Sequence, residues 1–143
     1  MINKIAASVA EALAGVKDGS TVMIGGFGTA GTPLELIDGL IEQGARDLTV
    51  VNNNAGNGDT GQAAMLATGR VRKIICSFPR QADSHVFDGL YRSDKLELEL
   101  VPQGNLSVRL PLFPILHKPT HYAATRSCCW AANQGFLKAI GLM

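Results

Sequence analysis

The chain is poor in everything that would mark it as other than an ordinary globular domain. It has three cysteines in 143 residues, one isolated and two adjacent. That pattern supplies neither a disulfide framework nor zinc-ligand spacing, so no metal is expected. A reducing cytoplasm is the compartment that follows. The formal net charge is +1, which gives no polyelectrolyte character and points to no nucleic-acid partner. No apolar run approaches the ~20 residues of a membrane span, so no membrane is expected either. The opening Met1-Ile-Asn-Lys-Ile-Ala-Ala-Ser is not read as a signal peptide, because Glu11 and Lys17 interrupt any apolar run. Acidic residues are missing altogether after Glu99.

What is present is a chain long enough for one domain with a real core, burying roughly 70% of its unfolded surface. The most informative stretch runs from Asp18 to Pro33. Thr21 to Ile24 is β-branched and apolar and predicts a buried strand. Gly25, Gly26, Gly28 and Gly31 then permit close approaches that a Cβ would block. Thr32 and Glu35 have capping-box spacing, with Pro33 at the first helical position. A helix start beside bare glycine amides attracts anions and oxyanions.

Around it the pattern alternates. Ile2, Ile5, Val9, Leu13 and Val16 form one helical face; Leu34, Ile37, Leu40 and Ile41 form another, ended by Gly44. Strands are expected over 48–52 and 71–77, with a short alanine-rich helix over 62–68 between them. Another short helix is expected around 83–92. Leu96, Leu98 and Leu100 alternate with Glu97 and Glu99, predicting a strand with one wet face near an edge. A further helix starts near Leu106. A helix in each gap argues for right-handed βαβ units: an α/β fold, a mostly parallel open sheet with helices on both faces. The loops 25–31, 52–61 and 78–81 should then line one rim, with Gln103-Gly104 close by.

Gly26-Phe-Gly-Thr-Ala-Gly31 also fits the dinucleotide fingerprint G-x-G-x-x-G. That reading needs an acidic residue after the second strand, where Asn52, Asn53 and Asn54 stand. A dinucleotide-binding oxidoreductase domain is therefore the alternative reading, and an inactive remnant or partner-binding module is another. The three asparagines serve as turn chemistry or as binders of an acyl oxygen or a pantetheine amide. Cys76 is expected in the core and His85 as structural or exposed. Arg80 is either an exposed arginine or a partner for a carboxylate or phosphate.

Asp18-Gly19, Val22-Met-Ile-Gly-Gly-Phe27, Gly31, Thr32 and Pro33 together resemble the signature of family I CoA-transferase α subunits. Asn52-Asn-Asn-Ala-Gly56 and Glu97-Leu-Glu-Leu-Val-Pro-Gln-Gly-Asn-Leu106 are similar too. Cys76-Ser-Phe-Pro-Arg-Gln-Ala-Asp-Ser-His-Val-Phe87 looks most like the 3-oxoadipate type. The resemblance covers residues 1–108 and implies the N-terminal part of an α-subunit domain, incomplete at its C-terminus. It implies CoA transfer from succinyl-CoA to a 3-oxo acid through a glutamyl thioester. The nucleophilic glutamate lies in a Ser-Glu-Asn-Gly motif on a partner β subunit, so no catalytic nucleophile is expected here. CoA thioester is the substrate, and no permanently bound cofactor is implied. The resemblance places Gly25, Gly26, Phe27, Gly28, Thr29, Ala30 and Gly31 against CoA or the acyl group. Asn53, Asn54 and Gln103 are side-chain candidates for the same task.

Residues 109–143 form an atypical tail. They hold two of three cysteines, two of three histidines, half the prolines and the only tryptophan. Cys128-Cys129-Trp130 is what a leucine-rich frame can give when read one nucleotide out, so a frameshifted end is the favoured reading over a divergent extension. Translating the coding DNA in its other frames checks this.

Overall fold

The computed structural model describes residues 6–106. The elements in order are α1 Val9–Leu13, β1 Thr21–Met23, α2 Leu34–Gln43, β2 Leu48–Val51, α3 Gln62–Ala67, β3 Val71–Cys76, α4 His85–Arg92 and β4 Glu97–Leu100. The four strands pair in the order β1-β2-β3-β4, every pair parallel. Parallel pairing follows from the helix in each gap, which carries the chain back to the same end of the sheet. Ile2 and Ile5 of the expected first helical face, and the tail 109–143, lie outside the described residues.

Register sorts the strand side chains onto two faces. Val22, Val50, Ile74 and Leu98 stand in one row, and Met23, Val51, Ile75 and Glu99 in the next. Successive residues of a strand point to opposite sides, so the two rows serve two different surfaces. The first row joins Ile37 and Leu40 of α2, Met65 and Leu66 of α3 and Phe87 of α4 in the larger core. Sequential strand order with right-handed crossovers puts those three helices on one face. Val50 and Ile74 are completely buried there; truncating Ile74 to alanine carries a cost of about 2–5 kcal/mol. On the other face Met23, Val51 and Ile75 pack with Val101 and Leu106. Residues 103–106 are helical, and the Leu106 N–H bonds the Pro102 carbonyl at 2.8 Å. That helix therefore begins three residues before the expected Leu106, and it covers the second face.

The far end of the second face is polar. Lys73 Nζ lies 2.8 Å from Glu97 and 2.9 Å from Glu99 on the neighbouring strand. The wet face expected of β4 is thus its glutamate face. Leu100, expected on the dry face, is 59% exposed, because β4 is the outermost of the described strands.

Two helix ends depart from expectation. The first helix spans only Val9–Leu13, with Ser8 as its cap: the Ser8 hydroxyl accepts from the Glu11 N–H. The capping box at α2 does not form. Leu34 N–H bonds the Thr32 carbonyl at 3.0 Å, which makes Pro33 (φ −80, ψ 78) the apex of an inverse γ-turn and the N-cap residue instead of the first helical one. The Thr32 hydroxyl is turned onto the Gly28 carbonyl, 3.5 Å away. Leu36 replaces Leu34 on the buried face, Leu34 being half exposed. The reason is that α2 packs against α1 as well as the sheet. A Cβ on Gly39 would lie 2.3 Å from Val9 Cγ1, and Gln43 Nε2 caps the Leu13 and Val16 carbonyls at 3.0 and 2.9 Å. Gly44 ends α2 in the left-handed conformation, φ 85.

Candidate functional site

Because every strand runs the same way, the four strand exits meet at one rim. After β1, Phe27 N–H bonds the Ala30 carbonyl at 3.0 Å and Ala30 N–H bonds the Phe27 carbonyl at 3.2 Å. These two bonds close a tight turn over Gly28 and Thr29, and Gly28 has φ 65 as its first central position requires. A side chain at Gly26 is impossible without displacement, since its Cβ would lie 2.8 Å from Thr32 Oγ1. Phe27 is 74% exposed and does not fill the turn. The N–H groups of Gly25, Gly26, Gly28, Thr29 and Gly31 have no partner among the described residues.

The turn is aimed by the loop after β2. Asn52 is buried; its Oδ1 accepts from the Asn54 N–H at 3.1 Å, and Asn54 Oδ1 accepts from the Gly56 N–H at 2.8 Å. These are successive side-chain turns that fix the loop locally. Asn54 is 2% exposed, and its Nδ2 donates to the Gly28 carbonyl at 3.4 Å. The Gly28 carbonyl thus faces the protein, receiving both Asn54 and Thr32. In a trans peptide the N–H of the next residue points the opposite way, so the Thr29 N–H faces out. Both ends of the Asn54 amide are occupied by the chain itself.

Asn53 is tied differently. Its carbonyl accepts from the Ser77 and Phe78 N–H groups at 3.2 and 3.0 Å. Its Nδ2 donates to Gln103 Oε1 at 2.7 Å and to Ser77 Oγ at 3.1 Å. The Ser77 hydroxyl also bonds Gln103 Oε1. The structure therefore brings Asn53 and Gln103 together, with the Oε1 of the exposed Gln103 side chain held by Asn53 and Ser77. Ser77 was not singled out from sequence. Its signal is positional: it follows β3 directly and, continuing the Val51–Ile75 register, stands level with Asn53.

The loop after β3 is stitched to the same region. Gly58 N–H bonds the Asp83 carbonyl at 2.9 Å, and Asp83 N–H bonds Asn57 Oδ1 at 2.9 Å. His85 is exposed and sits between two carboxylates, Nδ1 at 2.8 Å from Asp83 and Nε2 at 3.0 Å from Asp59. The Asp83 bond and charge, with Asp59 adding to them, raise the His85 pKa above its ordinary value; the same bond lowers that of Asp83. Both ring nitrogens are thereby engaged in holding loops together. Arg80 Nε pairs with Asp88 Oδ1 at 2.7 Å. Cys76 is fully buried in β3, and burial pushes its thiol up to about 11, so it is a packing residue. Among the described residues no group of three or more histidine, cysteine or acidic side chains could hold a metal. The position after β2 that would bind a ribose hydroxyl holds buried Asn52, not a carboxylate.

Unpartnered amides beside a fixed carboxamide, on the carboxyl rim of a parallel sheet, are chemically suited to a carbonyl oxygen or an anion. The class the fold defines is thus an α/β domain with a preorganised donor rim. The sequence profile described as Coenzyme A transferase matches residues 6–112, and the chain belongs to that family. The match stops just past the compositional break near Val108. The chain is 66% identical over 110 residues to one of the subunits of 3-oxoadipate CoA-transferase from Pseudomonas putida, covering 77% of this chain and 48% of that protein. Against the corresponding protein of Acinetobacter baylyi it is 67% identical, with the same two coverages. The chain spans about half the length of these curated relatives. In fold it is similar to an acyl-CoA transferase from E. coli O157:H7 solved as a thioester complex with CoA. That likeness has a TM-score of 0.63 at 23% identity over 77% of this chain and 23% of the other. No described helix is long and apolar enough to cross a membrane.

Proposed function

We propose that this chain is the N-terminal part of the α subunit of a two-subunit CoA-transferase. The reaction is transfer of CoA from succinyl-CoA to a 3-oxo acid, with 3-oxoadipate the favoured acceptor. The nucleophile is a glutamate of the partner β subunit, which carries the acyl and CoA groups in turn; CoA thioester enters as substrate, with no resident cofactor. The observation that carries this reading is the row of unpartnered amides from Gly25 to Gly31, with Thr29 N–H turned outward by Asn54.

A carboxylate attacking a thioester builds negative charge on the acyl oxygen. Amide donors already in place stabilise that charge without reorganising, and losing one such donor costs about 3–4 kcal/mol. In this reading Gly28 and Thr29 supply backbone donors and Gln103 a side-chain donor. Asn53 holds Gln103, and Asn54 holds the turn. Phe27 and Ala30 close the turn through their backbones.

The test is co-expression with a β subunit bearing Ser-Glu-Asn-Gly, followed by an assay of succinyl-CoA-dependent thioester formation on 3-oxoadipate. With a full-length α tail restored, transfer is the expected result, and its absence would overturn the proposal. With residues 109–143 as they stand, no turnover is expected.

A further inference from the structure

Both acyl groups in the reading above are dicarboxylic: one carboxyl is thioesterified and the other stays free and negative. That free carboxylate needs a counter-charge at the rim. The four segments that leave the strands, 24–33, 52–61, 77–84 and 101–106, contain a single lysine or arginine, Arg80. We infer that Arg80 is the specificity-determining residue that binds the distal carboxylate and so selects dicarboxylic acyl groups. The inference rests on the transferase reading.

The placement of Arg80 supports it. Two residues earlier, Phe78 N–H is bonded to the Asn53 carbonyl at 3.0 Å. One residue later, Gln81 N–H is bonded to Ser84 Oγ at 2.6 Å, and Gln81 Nε2 lies 4.0 Å from where a Gly28 Cβ would stand. The Arg80 backbone thus lies between a residue tied to Asn53 and a residue beside Gly28, and its side chain reaches Asp88. Its Nε edge is taken by Asp88 at 2.7 Å, and Asp88 is itself fixed by α4, its N–H on the Ser84 carbonyl at 2.9 Å. An exposed pair of this kind adds little stability. Its consequence is orientation: with Nε held, the two terminal nitrogens form a planar fork matching a carboxylate. Arg80 is 58% exposed, so the fork is reachable. The nearby carboxylates Asp59 and Asp83 are both spent on His85 and do not compete for it.

The experiment compares the binding of succinyl-CoA and butyryl-CoA to the full chain by titration calorimetry. The two thioesters differ only in a terminal carboxylate against a methyl. The native chain is expected to favour succinyl-CoA by about tenfold, with the preference shrinking as salt is added. Arg80→Gln should abolish the preference through loss of succinyl-CoA affinity alone, and Arg80→Lys should keep part of it. Equal binding of both thioesters, unchanged in Arg80→Gln, overturns the role of Arg80 and leaves the transferase reading standing. Binding of neither overturns the role of Arg80 in this chain, and the transferase reading is then decided by the tail-restored activity assay.

Discussion

Gly56→Ala should be the most damaging small substitution in the loop that aims the glycine turn. Gly56 has φ +93, and an added Cβ would lie 2.4 Å from the Ala63 nitrogen, 2.9 Å from its Cα and 3.0 Å from its Cβ. These are atoms at the start of α3, two of them backbone, and they cannot swing aside as a side-chain tip could. Two costs combine: about 1–2 kcal/mol for a left-handed alanine and about 1–3 kcal/mol for overpacking. Gly69→Ala is the matched control. Gly69 has φ +68 with nothing within 4 Å of its Cβ position, so it bears only the first cost. Stiffening of the unfolded chain is common to both variants and cancels in the difference. Urea unfolding with linear extrapolation should place Gly56→Ala about 1–3 kcal/mol below Gly69→Ala. Equal stabilities would refute the close packing of this loop on α3. The variant should also weaken ligand binding, because moving Gly56 disturbs Asn54, which holds the Gly28 carbonyl.

Two further outcomes follow from charge and burial. His85 should titrate above its ordinary 6.5. A raised folded pKa means its stabilisation is complete below the unfolded value and is lost as pH rises through the folded one. Asp83, whose pKa is lowered, contributes above its unfolded value and fails as pH falls through its folded one. Side-chain NMR, with His85→Gln to assign the resonance, measures the shift. Asp83→Asn should bring the midpoint down, and a native midpoint at or below 6.5 would refute the two-carboxylate clamp. Cys76, pushed up to about 11 by burial, should resist alkylation at pH 8 until the chain unfolds. Peptide mapping separates it from Cys128 and Cys129, and native-state labelling of Cys76 at the rate of a free thiol would contradict its place in β3.

Much of this architecture was readable because its signals are local. Runs such as Leu48–Val51 lie between turn residues, and their β-branched content makes a strand from sequence alone. Gly44 ends α2 where the periodicity stops, since only glycine takes φ 85 freely. Local pattern and structure part where two segments compete for one group. Thr32 had the spacing to cap α2, but its hydroxyl went to Gly28 and its carbonyl to Leu34. Leu34 and Leu36 traded places because α2 faces α1 as well as the sheet. Leu100 has the alternation of a buried residue and lacks a cover because β4 is the outermost described strand.

The sequence by itself determined the βαβ order, the parallel sheet and the glycine turn at the end of its first strand. It did so because apolar period, turn residues and missing Cβ atoms act over a few positions. Which donors remain open was decided only in three dimensions. The Asn53 amide is taken by Gln103, fifty positions away, and Asn54 is taken by Gly28, twenty-six positions away. A carboxamide has the same hydrogen-bonding capacity wherever it stands in a chain. Whether it meets a ligand or another loop depends on which groups the sheet brings within about 3 Å of it.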